Sequence, residues 1–242
     1  MTERSIIALS GSDTHKFLQG LITNDIGGLE RGAVYAAILT PQGKFMVDFF
    51  LVREADTVLL DVATPDADAL LKRLTMYKLR SDVTLALTER TVSRGLGAVP
   101  DGAVADPRHS ALGWRAYDGR DSEAVDWDAI RVAHCIPEAG IELTPDTYIL
   151  EAGFERLHGV DFKKGCYVGQ EVTARMKHKT ELRKGLASVA IEGSAPVGTP
   201  ILTESGKEAG VLFTQSGGRA IAYLRFDRAT GPMSAEGARV TL

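Results

Sequence analysis

Of the two cysteines in the chain, Cys166 stands in the stretch KKGCYVGQE, directly after Lys163, Lys164 and Gly165 and shortly before Gly169. Neighbouring cations favour a thiolate over a thiol, so this setting predicts a pKa below the free value of about 8.5 and reactivity at neutral pH. Gly165 and Gly169 permit close backbone approach and a positive φ, as in a loop that presents a side chain. Gln170 and Glu171 add hydrogen-bonding groups. The competing reading is a small buried hydrophobe in a tight turn, with Tyr167 and Val168 packed beside it. Cys135, in RVAHCIPEAG, falls at the end of a mostly apolar helix and reads as a packing residue.

A second candidate is Asp48 in GKFMVDFFL. A carboxylate within an apolar strand is costly unless it meets a partner or a ligand. It is unremarkable if that face of the strand is solvated. Asn24 and Asp25, in TND, suit a turn. The five histidines, at 15, 109, 134, 158 and 178, form no H-x-x-x-H pair, and the cysteines form no C-x-x-C, so no metal site is expected. Two cysteines alone do not hold an iron–sulfur cluster, and a cluster role needs ligands from a second chain or a small molecule. Neither a P-loop nor G-x-G-x-x-G is present, which argues against a nucleotide or dinucleotide site.

The 242 residues carry a formal net charge of -4, yet Lys163 to Lys184 holds seven Lys or Arg against Glu171 and Glu181. A basic island in an acidic chain points to an anionic ligand, the alternative being a solvated face. The overall balance argues against general nucleic-acid binding, and the island lacks the interleaved aromatics of a stacking platform. Hydrophobic content of 44% and charged content of 25% fit a soluble globular protein. No apolar run approaches the roughly 20 residues that cross a bilayer, and the N-terminus lacks a secretory h-region. A cytoplasmic protein without a disulfide is expected.

These residues need elements to position them. SIIALSG reads as a strand and SDTHKFLQGLITND as a helix. GAVYAAILTPQGKFMVDFFLVREADTVLLDVA gives three strands with turns at TPQGK and READ. Thr64 as cap and Pro65 at the first helical position open a helix through DADALLKRLTMYKL, and VTLALTE returns as a strand. Short strands and loops follow, then a helix in AVDWDAIRVAHCI ended by Pro137, and a helix or helical turn in TYILEAGFERLHGVDF. After residue 180, short strands with Gly-rich turns carry the signature of a small closed β-barrel. The order predicts an α+β fold of antiparallel hairpins with flanking helices, divided into residues 1–180 and a barrel over 181–242.

KGCYVGQE resembles the signature of the YgfZ family, folate-binding, GcvT-like proteins linked to iron–sulfur cluster assembly and repair. ALSGSDTHKFLQGLITNDI, ILTPQGKFMVDFFLV, LTMYKLRSDV, IPEAG and GVDFKKGCYVGQEVTARMKHKTELRKGL look like successive blocks of that family in the same order. His134 and Cys135 depart from its pattern. The resemblance implies an aminomethyltransferase-like body and a C-terminal barrel around a central folate cavity. It makes Cys166 the working thiol, and implies tetrahydrofolate or a derivative as ligand, held by Asn24, Asp48, Tyr77, Arg80, Lys164, Gln170 and Arg175. The partners expected are folate and iron–sulfur enzymes or cluster-assembly proteins, with no nucleic acid and no membrane. The function expected is an accessory role in assembling or repairing iron–sulfur enzymes. The alternative is a folate-dependent aminomethyl or one-carbon transferase.

Overall fold

The computed structural model describes residues 2–178 and 182–242. The chain forms two compact units, one from Thr2–Val125 and Phe154–Val172, the other from Asp126–Gly153 and Thr173–Leu242. The expected boundary at 180/181 lies at residues outside the described ones.

In the first unit, β1 (Arg4–Ser10), β2 (Val34–Leu39), β3 (Phe45–Glu54), β4 (Thr57–Ala63) and β5 (Thr84–Leu87) form an antiparallel sheet in the order β2-β3-β4-β1-β5. Side chains alternate across a strand, so each strand divides its residues between two faces. One face carries Ile7, Leu9, Ala36, Ile38, Val47, Phe49, Leu51, Leu60 and Val62, and packs in one core with Leu18 of α1 (Thr14–Gln19) and Leu70 and Leu74 of α2 (Thr64–Lys78). The register Tyr35↔Phe50, Ala37↔Asp48 and Phe50↔Asp61 groups Tyr35, Asp48, Phe50 and Asp61 on the opposite face. This face meets a small sheet, β6 (Ser93–Gly95), β7 (Val104–Ala105) and β8 (Trp114–Ala116), ordered β6-β8-β7. Arg115 of β8 pairs with Asp61, which also accepts from Arg4 Nε at 2.6 Å and Tyr117 Oη at 2.9 Å.

In the second unit, α3 (Trp127–His134) accompanies a closed six-stranded barrel. Its strands are β9 (Lys184–Glu192), β10 (Pro200–Thr203), β11 (Glu208–Ser216), β12 (Arg219–Arg225), β13 (Met233–Ala235) and β14 (Ala238–Thr241), in the order β10-β11-β12-β9-β14-β13. Alternate residues fill it: Val189, Ile191, Ile201, Leu212, Ala220, Ala222, Leu224 and Val240. Arg131 of α3, fully buried, pairs with Glu142 at 2.5 Å, and Glu142 accepts in turn from Thr214 Oγ1 of β11.

The α+β class and the closed barrel match the sequence reading; several local expectations need correction. The first helix covers only Thr14–Gln19, because the chain turns at Gly20 and re-forms as a 3-10 turn over Ile26–Glu30. Thr64 does not cap α2: the cap position is Ala63, and Thr64 Oγ1 accepts from Ser5 Oγ at 3.0 Å. The helix α3 stops at Cys135, whose left-handed φ of 50° breaks it before Pro137 is reached. TYILEAGFERLHGVDF takes the second of its two expected forms, helical turns, with Ala152 N donating to Tyr148 O at 3.2 Å and His158 N to Glu155 O at 3.2 Å. A helix that was not expected, α4 (Gln170–His178), follows the cysteine motif directly.

Candidate functional site: an exposed thiol and a buried carboxylate

The cysteine loop is built from alternating anchors. Lys164 and Tyr167 are buried, while Gly165 and Cys166 between them are exposed. The Lys164 ammonium donates to three backbone oxygens, Gln19 O at 2.7 Å, Ile22 O at 2.5 Å and Asn24 O at 3.0 Å. It also lies 5.1 Å from the centre of the Tyr167 ring. Three acceptors match its three N–H donors. Burial pulls its pKa down to about 8, opposed by the Asp25 and Asp161 carboxylates. Asp161 fixes the turn before it, its Oδ1 accepting from the amides of Lys163 at 2.5 Å and Lys164 at 3.1 Å. Lys164 therefore ties the loop to the chain after α1, and only the neighbouring Lys163 stands exposed.

The far end of the loop is held by shape. Gly169 has φ +83°, and a Cβ there would sit 2.6 Å from Thr40 O and 2.9 Å from Leu39 Cβ, against the β2–β3 turn. Gly165, expected to serve the same purpose, has no positive φ and open space around its Cα. One of the two motif glycines is thus demanded by geometry.

Asp48 is buried, at 5% exposure, which settles its orientation against the solvated-face reading. Its Oδ2 accepts from Tyr35 Oη at 2.9 Å, and its Oδ1 has no hydrogen-bond partner among the described residues. Burial, with the Asp48 charge second, pushes the Tyr35 phenol well above its usual pKa, so it remains a donor at neutral pH. A buried acceptor without a partner costs about 1–3 kcal/mol, which a ligand N–H or O–H would recover. Around this pair, Phe50 lies under the guanidinium groups of Arg115 at 3.9 Å and Arg108 at 4.7 Å. Arg108 is itself paired with Asp106 at 2.8 Å.

Asn24 lies beside the cysteine loop. Its Nδ2 donates to Tyr35 O at 2.8 Å and His158 O at 2.6 Å, and its carbonyl O is one of the three that hold Lys164. Gln170 is half-buried at the start of α4 and Arg175 is exposed along it. Tyr77 and Arg80 are exposed at and beyond the end of α2, Tyr77 Oη accepting from Arg73 at 3.3 Å. The part of the basic island at 179–181 lies outside the described residues. Sequence reasoning missed Tyr35 and Thr23. The first is signalled by a polar-tipped aromatic in an otherwise aliphatic strand, the second only by its place beside Asn24.

The antiparallel α+β body and the closed C-terminal barrel make a fold like that of the glycine cleavage aminomethyltransferase. The glycine cleavage system aminomethyltransferase T from Bartonella henselae superposes with a TM-score of 0.76 over 98% of this chain and 81% of that one, at 14% identity. Residues 183–242 match the CAF17 C-terminal beta-barrel domain. The mitochondrial iron-sulfur cluster assembly factor IBA57 of Mus musculus is 31% identical, with 95% of this chain and 78% of the relative covered. The Homo sapiens factor is 28% identical, with 99% and 81% covered. The chain belongs to the IBA57 family of iron–sulfur cluster assembly factors. The expectation of a cytoplasmic protein is overturned here, since these relatives are mitochondrial proteins by name, and a missing secretory h-region says nothing about that compartment.

Proposed function

We propose that the chain is an accessory protein for the assembly or repair of iron–sulfur cluster enzymes that binds tetrahydrofolate or a derivative and works through the thiol of Cys166. The IBA57 relatives support the assembly role. The observation that carries folate binding is the buried Asp48 Oδ1, without a partner among the described residues, beside a Tyr35 phenol already committed to Oδ2. A pterin offers ring N–H and amino donors of the kind this oxygen lacks, so the residues fit the group. Asp48 would hold the pterin, Tyr35 would fix the carboxylate, and the exposed cation Lys163 suits the carboxylates of a glutamate tail. Folate, when bound, would supply one-carbon chemistry or a bound regulator. Cys166, exposed on its anchored loop, would meet a partner protein or a cluster in transit.

Isothermal titration with tetrahydrofolate should show saturable binding that Asp48→Ala weakens by about 10-fold or more, about 1.4 kcal/mol. Undiminished affinity would remove Asp48 from the site. In a deletion strain, wild type should restore iron–sulfur enzyme activity and Cys166→Ala should not; full rescue by the alanine variant would remove the thiol from the mechanism. One-carbon transfer to tetrahydrofolate, catalysed without any partner, would favour a transferase instead.

A further inference from the structure

We infer that the loop Ile22–Asp25 couples the Tyr35–Asp48 pair to the presentation of Cys166, with Thr23 and Asn24 as positioning residues. The inference rests on the proposed roles of those two sites. One side of the loop grips β2. Thr23 N donates to Ala37 O at 2.9 Å, Thr23 Oγ1 accepts from Ala37 N at 2.9 Å, and Asn24 Nδ2 donates to Tyr35 O at 2.8 Å. Its other side grips the segment leading to the cysteine. Thr23 Oγ1 donates to Gly159 O at 2.7 Å, Asn24 Nδ2 donates to His158 O at 2.6 Å, and Thr23 O accepts from Asp161 N at 3.1 Å. Lys164 closes the arrangement on Ile22 O and Asn24 O.

Each of the two side chains bonds both partners at once. Thr23 Oγ1 serves as donor to one and acceptor from the other, and Asn24 divides its two N–H groups between Tyr35 and His158. A shift of Tyr35 along β2 therefore moves the acceptors that set the base of the cysteine loop. His158 stands at the junction between the loop and the cysteine segment. It holds a left-handed φ of 53°, uncommon for a residue with a Cβ, and is kept there by the Asn24 bond and by Nδ1–H on Pro107 O at 2.9 Å. A cleft of about 350 Å³ is lined by Asn24, Tyr35, His158 and Asp161. Because Tyr35 Oη holds Asp48, a ligand engaging Asp48 Oδ1 acts on the same strand, and the coupling must be reciprocal.

The test is a double-mutant cycle read by the rate at which N-ethylmaleimide labels Cys166, first without ligand. Tyr35→Phe, which releases Asp48, should change that rate by about 3-fold or more in the wild-type background and leave it unchanged in Asn24→Ala or Thr23→Val. Thr23→Ser, which keeps the hydroxyl, should preserve the response. Additive effects would overturn the inference, as would an unchanged rate in Tyr35→Phe. If Asn24→Ala does not fold, the cycle is run with Thr23→Val alone. A second arm adds saturating tetrahydrofolate. A labelling rate that responds to ligand in wild type and in Thr23→Ser, but not in Thr23→Val that still binds it, supports the link. Equal responses in all three overturn it. Absent folate binding in wild type refutes the folate reading alone, since the ligand-free cycle still decides the coupling.

Discussion

Lys164 and Cys166, two residues apart, end in opposite environments, and substitution should separate their roles. Lys164→Met leaves three carbonyl oxygens without their donor, so denaturant unfolding should show a loss of about 2–4 kcal/mol. Lys163→Met, at an exposed position, should fall within about 0.5 kcal/mol of wild type. Cys166→Ala should be equally mild, and alkylation should label exposed Cys166 well before half-buried Cys135. Equal labelling rates would contradict the exposure of the loop. The presentation of Cys166 was readable from its motif. The inward turn of Lys164 was not, because lysine is rarely buried and its acceptors come from residues about 140 positions earlier in the chain. Asp48 was readable as an anomaly in an apolar strand, whereas its partner Tyr35 depends on which residues the hairpin register places on one face.

The cysteine loop is an element without regular structure, so its rigidity must come from its two ends. Gly169→Ala places a Cβ against Thr40 O in a φ that alanine adopts only with strain. It should cost about 1–3 kcal/mol and change the Cys166 labelling rate. Gly165→Ala, with open space and an ordinary φ, should do neither. A stable Gly169→Ala with unchanged labelling would show that the loop is set elsewhere. Strands of the main sheet were legible because short apolar runs such as VYAAIL and TVLLDVA, buried on both faces, are bounded by turn residues. Helix α4 was hidden because its sequence, QEVTARMKH, buries only Thr173 fully and so lacks an apolar stripe. TYILEAGFERLHGVDF left helix and helical turn open: its apolar spacing suits either, and Ile149, Phe154 and Leu157 are buried from successive turns.

Stability of the first unit should depend on acid. Asp106 is held at about 2, where burial alone would raise it, by the charge and hydrogen bonds of Arg108 and then by Arg115. Asp61 is lowered in the same sense: burial opposes, while Arg115 and Arg4 prevail. A carboxylate whose folded pKa lies below its unfolded value stabilises above the unfolded pKa, and that contribution disappears as pH falls through the folded one. Urea midpoints should therefore be flat down to about pH 5 and then fall by pH 2, with Asp106 alone contributing about 2 kcal/mol. A midpoint unchanged to pH 2 would show that these pairs are no tighter than their counterparts in the unfolded chain. In the other unit, β14 is the final barrel strand in chain order, yet it lies between β9, the first, and β13. Synthesis delivers β9 well before the strand that will cover its edge. On the ribosome that edge remains open until residues 238–241 have emerged, so the barrel cannot close strand by strand during translation. A nascent chain stalled before Ala238 should expose β9 to chaperones and proteases, and one stalled far enough beyond Thr241 should not.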